Sequence, residues 1–305
     1  VLEAISSFIP CLRQKARTTY ERRLSCDIVL EAGGPCLSLE PISGQEKEGH
    51  MRRFFVGDVL GEDSRISLTG KEANHIRNVL RMKRGDTLSV MDGKGHLFEA
   101  SIEEIHRQGV MVNIIKTLPA PATSPIEIHL AQAIIKPRPM DLLIQKATEL
   151  GVSSITPFFS ERTAVKMSDD HLSRKMVHWE GIMKAACKQS GRSNLPTLYS
   201  PLAFEALIGK MPPQGTLKVL LWEASKETDL KGVLRSVSKL VYIVPIIGPE
   251  GGFTLKEIRL AMDAGFRIVS LGSRILRSDT AAITLVSIIQ YEWGDLSLKH
   301  MGSNP

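Results

Sequence analysis

Ile246-Ile-Gly-Pro-Glu-Gly-Gly-Phe-Thr254 stands between an apolar run, Leu240–Ile247, and a helical pattern, Leu255–Ala264. The helix opens with Thr254 and Glu257 at capping-box spacing and stops at Gly265. Three glycines around a proline let backbone amides approach a ligand with no side chain in the way. At the carboxyl end of a strand in an α/β sheet, this is where ligands usually sit. The loop is not a P-loop, because no Lys-Ser/Thr follows, and it is not GxGxxG. The plainer alternative is a tight strand-to-helix turn.

A second loop of the same kind follows. Leu271-Gly-Ser-Arg-Ile-Leu-Arg-Ser-Asp-Thr-Ala281 joins a strand candidate, Arg267–Leu271, to Thr280–Trp293, a helix that is apolar nearly all round. Such a helix must be buried on several sides, in a core or against a second subunit. Ser278, Asp279 and Thr280 are candidate N-caps. Arg274 and Arg277, placed just before an apolar helix, have no evident structural task. Two glycine-containing loops at adjacent strand ends would form one pocket.

Upstream, strands and helices alternate, which is the α/β signature. The strand candidates are Ile126–Ile135, Val152–Phe158 and Leu217–Trp222. Pro139–Leu150 reads as a helix stopped by Gly151, and 170–189 as a longer one burying Leu172, Met176, Trp179, Met183 and Ala186. The Pro-rich stretch Leu118–Pro125 marks a domain boundary. Before it, hairpins dominate. Arg52–Val56, Thr87–Met91, His96–Ile102 and Val110–Ile115 read as strands, with a turn at Asp92-Gly-Lys-Gly95. Thr69 and Glu72 have capping-box spacing for a helix that buries Ala73, Ile76, Val79 and Leu80 and ends at Gly85. This pattern predicts a small β-barrel over 51–120 and an α/β domain over 121–305. Residues 1–50 lack any sustained period and hold Cys11, Cys26 and Cys36, and they are expected to be a poorly ordered extension.

Composition narrows the class. The 305 residues are 43% hydrophobic and 24% charged, ordinary for a globular protein. No apolar stretch reaches the ~20 residues of a membrane helix. The four cysteines form no CxxC and the eight histidines no HxxxH spacing, so no disulfide scaffold or metal site is expected. The formal charge of +6 permits a polyanionic partner without requiring one. Three basic groups are candidates to touch an anion: Arg77, Arg81, Lys83 and Arg84; Lys136, Arg138 and Lys146; Lys184, Lys188 and Arg192. Each reads equally as a solvated helix face. No Ser-His-Asp or Cys-His arrangement is evident, and Cys187 reads as a small buried helix residue.

Both loops, with Met51-Arg-Arg-Phe-Phe-Val56, His75-Ile-Arg-Asn-Val-Leu-Arg81, Gln145-Lys-Ala-Thr-Glu-Leu-Gly-Val152 and Ala185-Ala-Cys-Lys-Gln-Ser-Gly-Arg192, resemble one family in matching order. It is the ribosomal small-subunit RNA methyltransferase E (RsmE) family of the SPOUT superfamily. The resemblance covers 51–295. It departs at Asp279, where the family usually has Glu, and at Lys136-Pro-Arg-Pro139, where the family has a Lys-Gly-x-Lys/Arg type of run.

The resemblance implies a PUA-like RNA-binding barrel followed by a SPOUT domain threaded through a trefoil knot. It also implies a cytoplasmic homodimer that methylates N3 of a uridine in 16S ribosomal RNA. S-adenosylmethionine would be held by Leu221, Glu223, Ile247, Gly248, Pro249, Glu250, Gly251, Gly252, Leu271, Gly272, Ile275, Leu276, Arg277 and Thr280. Arg277, Glu250 and Asp279 are the catalytic candidates. Arg52, Arg53, Arg77, Arg81, Arg84, Arg138, Lys146, Arg162, Gln189 and Arg192 are the RNA-binding candidates. The alternatives are a SPOUT methyltransferase acting on another RNA position and a non-catalytic RNA-binding assembly factor.

Overall fold

The computed structural model describes residues 51–56, 64–165, 167–210, 215–225, 229–237 and 241–296. The expected extension 1–50 lies outside the described residues, as does Leu240. The N-terminal part holds β1 (Arg53–Phe55), β2 (Arg65–Thr69), α1 (Gly70–Asn74), β3 (Thr87–Met91), β4 (Leu97–Ile105) and β5 (Gly109–Leu118). The strands form one sheet in the order β1-β3-β4-β5-β2. All five send residues into a single core, among them Phe54, Leu68, Val90, Ile102 and Val112, so the sheet curls around its own apolar face.

The helix of this part departs from its sequence pattern. Thr69 is the N-cap of α1, but its side chain makes no capping bond. The Glu72 carboxylate instead pairs with Lys188 Nζ at 2.8 Å, so the capping box does not form. A π-helical turn, His75–Val79, follows directly, with Leu80 N bonded to His75 O. The wider turn carries Val79 out to 66% exposure while Ile76 stays buried. The chain leaves the helix at Arg81, whose φ is +53°, and Gly85 serves the turn into β3.

The C-terminal part begins with β6 (Glu127–Ala133), α2 (Pro137–Glu149), β7 (Ser154–Phe159), α3 (Asp169–Ser190), β8 (Thr197–Leu198), β9 (Leu202–Ala203) and α4 (Phe204–Gly209). It continues with β10 (Thr216–Leu221), α5 (Leu230–Arg235), β11 (Tyr242–Ile247), α6 (Leu255–Asp263), β12 (Arg267–Val269) and α7 (Ser278–Trp293). The strands are parallel in the order β12-β10-β11-β6-β7-β8, with β9 beside β7. Apolar residues cover both faces. Ile128, Leu130, Ile144, Trp179 and Leu285 lie in one core, and Ala131, Phe158, Phe204 and Ile258 in the other. The capping box expected for α6 is present, with bonds in both directions between Thr254 and Glu257.

The chain leaves β12 at the sheet edge and returns to pack α7 against α2 and β11. The expected trefoil requires this return across the strand ends. None of Ser278, Asp279 and Thr280 caps α7. All three lie inside the helix, and Arg277 occupies the N-cap position with no side-chain bond. The elements β2, β8, β9, α4 and α5 span 2 to 6 residues each, too short for a readable period.

The end of α3 joins the two parts. Leu195 N donates to Gly93 O at 2.9 Å, and Lys188 reaches back to Glu72. Gly191, at φ +84°, lies under the Arg53 guanidinium, where an added Cβ would meet Nη1 at 3.0 Å. Arg192 turns inward, donating to Thr148 O at 2.9 Å and Val152 O at 2.6 Å. Burial pushes its guanidinium below the usual arginine value. Arg192, expected to bind RNA, is therefore engaged inside the fold, while Arg53 lies half-buried beside Gly191. Arg192→Met is expected to cost about 1–3 kcal/mol, because it leaves Val152 O without a donor and Thr148 O with the Gly151 amide alone. Urea unfolding monitored by Trp fluorescence measures this.

Candidate functional site

A cavity of about 330 Å³ lies where the chain runs on from the carboxyl ends of β6, β10, β11 and β12. Ile135 and Pro139 wall it from the β6–α2 side, and Leu221, Trp222 and Glu223 from the end of β10. Ile247, Gly248, Pro249, Glu250, Gly252 and Phe253 contribute from the loop after β11. Ser270, Leu271, Gly272, Arg274, Ile275, Leu276, Arg277, Ser278, Asp279 and Ala281 contribute from the segment that leads into α7. The two loops singled out in the sequence do form one pocket.

Of the expected cofactor residues, Gly251 and Thr280 do not line the cavity. Thr280 is exposed on the first turn of α7. The space beside Gly251 belongs to Arg162: an added Cβ would meet Arg162 Cβ at 3.1 Å, and Arg162 Nη1 donates to Gly251 O at 3.1 Å. Gly252 is the glycine that the cavity requires. Its φ is +67°, and a Cβ there would approach Glu223 Oε1 at 3.1 Å.

The three catalytic candidates meet on the cavity wall. Glu250 Oε1 accepts from Lys136 N at 3.1 Å, which ties the β11 loop to the start of α2. Arg277 Nε lies 3.3 Å from Asp279 Oδ1, with the arginine largely exposed and the carboxylate mostly buried. The chemistry of the walls is divided. Ile135, Leu221, Ile247, Leu271 and Leu276 offer apolar surface, while Glu223, Glu250 and Arg277 are charged. Such a site suits a ligand with a flat apolar body and a polar, hydroxyl-bearing portion.

The group that positions these segments was not anticipated. Gln132 is fully buried in β6, and its Nε2 donates to Ser278 Oγ at 3.0 Å. Ser278 Oγ in turn donates to Gly248 O at 2.6 Å. A lone amide inside the run Ile126–Ile135 was the available signal.

The remaining RNA candidates divide by environment. Arg52, Arg81, Arg84, Arg138, Arg162 and Gln189 are exposed. Arg77 Nη1 donates to His106 O at 2.9 Å and Arg107 O at 2.6 Å, so part of its guanidinium braces the β4–β5 turn. Lys146 pairs with Glu149 at 2.8 Å. Burial pushes the Cys187 thiol up to about 11, as suits an inert core residue. Among the described residues, no helix is long and apolar enough to cross a membrane.

A model described as an RNA methyltransferase domain matches residues 122–290, more than half of the chain, and one described as an RNA methyltransferase PUA domain matches 68–115. The Buchnera aphidicola (subsp. Schizaphis graminum) protein named ribosomal RNA small subunit methyltransferase E is 33% identical over 247 residues, covering 80% of this chain and 98% of that one. Two solved structures are also similar. A Legionella pneumophila methyltransferase in complex with SAM has TM-score 0.75 at 36% identity, covering 81% of this chain and 99% of that one. A Neisseria gonorrhoeae ribosomal RNA small subunit methyltransferase E, bound to S-adenosyl methionine, has TM-score 0.74 at 31% identity, covering 81% and 100%.

Ser278→Ala is expected to leave Gly248 O without its donor and Gln132 Nε2 with Ala133 O alone, at a cost of about 1–3 kcal/mol. Ser278→Thr, which keeps the hydroxyl, should restore most of it. Denaturant midpoints of the three proteins test this, and equal midpoints would remove the hydroxyl from its structural role.

Proposed function

The chain belongs to the ribosomal RNA small subunit methyltransferase E family, and from that membership we propose that it methylates N3 of one uridine in 16S ribosomal RNA, using S-adenosylmethionine. The observation that carries this reading is the cavity, where the loops after β10, β11 and β12 gather Glu250, Arg277 and Asp279 on one wall. The ligand fits that wall. Ile135, Leu221, Ile247, Leu271 and Leu276 would take the adenine, and Glu223 would accept from the ribose hydroxyls. At Gly252 the φ of +67° favours glycine, and an added Cβ would press on Glu223 Oε1. The bound cofactor supplies a methyl group already activated by its sulfonium.

The protein's tasks are then positioning, disposal of the N3 proton and stabilisation of charge on the uracil oxygens. Arg277 suits the last. With Nε in the Asp279 pair, its terminal nitrogens keep donors for a developing oxyanion. Glu250 and Asp279 are the carboxylates available to the N3 proton. Asp279, one methylene shorter than the family's Glu, still reaches Arg277. The exposed Arg52, Arg81, Arg84, Arg138 and Arg162 would hold the RNA, and the reading makes the protein cytoplasmic, with the ribosome. Mass spectrometry of ribosomal RNA nucleosides from a strain lacking the gene tests it. Unchanged 3-methyluridine overturns it.

The same reading makes the chain a homodimer that buries the outer face of α7. Tyr291 on α7 is 65% exposed, and Leu142 on the adjoining α2 is 44% exposed. Light scattering at micromolar concentration should give twice the chain mass, and a stable monomer would reject the dimer.

Arg277→Lys should keep cofactor binding and lose turnover by about 10²–10³. A lysine retains the charge but not the planar fork. If Arg277 only braced its loop, cofactor affinity would fall together with rate. Single-turnover kinetics at saturating cofactor and RNA separate these outcomes, and wild-type turnover would remove Arg277 from the reaction.

A further inference from the structure

Glu257 is 2% exposed, and its two carboxylate oxygens serve different segments. Oε2 completes the α6 capping box, accepting from Thr254 N at 2.8 Å. Oε1 is not needed by the box. It accepts from Ser160 Oγ at 2.8 Å and Glu161 N at 3.0 Å, nearly a hundred residues earlier in the chain.

Ser160 opens a tight turn after β7. Thr163 N donates to Ser160 O at 3.0 Å, and Ser160 N donates to Thr163 Oγ1 at 2.9 Å. Arg162 lies within this turn, with its Cβ against the site of the absent Gly251 side chain and its Nη1 on Gly251 O. One buried carboxylate thus fixes the Ser160–Thr163 turn to the segment that carries the cavity loop. With a single N–H given to Gly251 O, the exposed guanidinium keeps donors for an RNA phosphate or a uracil oxygen.

We propose that Glu257 is a positioning residue, which through Ser160 and Glu161 sets Arg162 beside the cofactor loop so that Arg162 grips the RNA next to the reacting base. This rests on the RNA-methylating reading above. Glu257 itself touches neither RNA nor cofactor. Its capping oxygen serves stability and its second oxygen serves substrate placement.

Ser160→Ala separates the two roles, because it removes a bond to Oε1 and leaves the capping box whole. Binding of S-adenosylhomocysteine is read by calorimetry. Binding of small ribosomal subunits from a strain lacking the gene is read by filter retention. Ser160→Ala should hold S-adenosylhomocysteine within about twofold of wild type and weaken subunit binding about five- to tenfold. Ser160→Thr should restore it. Arg162→Ala should weaken subunit binding at least as much, and the Ser160→Ala, Arg162→Ala double variant no further than Arg162→Ala alone. Losses that multiply in the double variant would overturn the proposal. So would unchanged subunit binding by Ser160→Ala, or parallel losses of both ligands, which would mark a purely structural role. Absence of subunit binding by the wild type would overturn it as well. Wild-type binding without methyl transfer would overturn the functional reading and leave this proposal to be decided by the binding data.

Discussion

Ser278 donates to the Gly248 carbonyl at 2.6 Å and accepts from Gln132 at 3.0 Å, and all three groups are buried. Gly248 begins the loop after β11, Ser278 begins α7, and Gln132 stands on β6. The cavity exists only where these three segments meet. A buried carbonyl without a donor costs about 1–3 kcal/mol, so the hydroxyl holds the α7 entry in register with the loop it must face. That register brings Arg277 and Asp279 to the cavity that Glu250 also lines. Apolar packing of α7 against α2 and β11 supplies most of the driving force, but such packing is non-directional.

A similar division of labour recurs around the site. Strand ends deliver backbone to one place, and buried polar groups then select which loop conformation persists. Glu250 ties its loop to the Lys136 amide, and Glu257 ties the α6 cap to the Ser160 turn. Each of these groups has its partners far away in sequence, so each bond forms only after the sheet has assembled.

The legible part of the chain was the part governed by local pattern. Apolar runs and glycine stops marked β6, β7, β10, β11, α2, α3 and α6, and the two glycine loops marked the cavity. The failures have a common physical cause. Glu72 left its capping role for Lys188, Ser278 left its expected role for Gly248, and Arg192 turned inward to two carbonyls. In each case the role expected from sequence, a cap for Glu72 and Ser278 and an outward contact for Arg192, lost to a long-range partner that sequence spacing does not display. The π-helical turn at His75–Val79 belongs with these, because a helical period assumes 3.6 residues per turn and the widened turn moves Val79 to solvent.

The same competition decides which cations remain exposed. Counted along the sequence, the basic residues of the small domain and of α3 look equivalent. In the structure, Arg53 covers Gly191, Lys188 pairs with Glu72, and Arg192 is bound to Thr148 and Val152. Lys188 ties the barrel's helix to α3, and Arg192 ties the α3 end to the α2–β7 turn. Each phosphate contact contributes a slope of roughly −0.7 to −0.9 to the salt dependence of binding, and an arginine already engaged inside the protein contributes none. The engaged cations act indirectly. By holding the barrel against α3, they fix the spacing between the exposed arginines of the barrel and those beside the cavity. On the proposed reading, an RNA segment bridging both sets would meet contacts whose spacing is already set by the fold, so the entropy of aligning them would be lost on folding and not on binding.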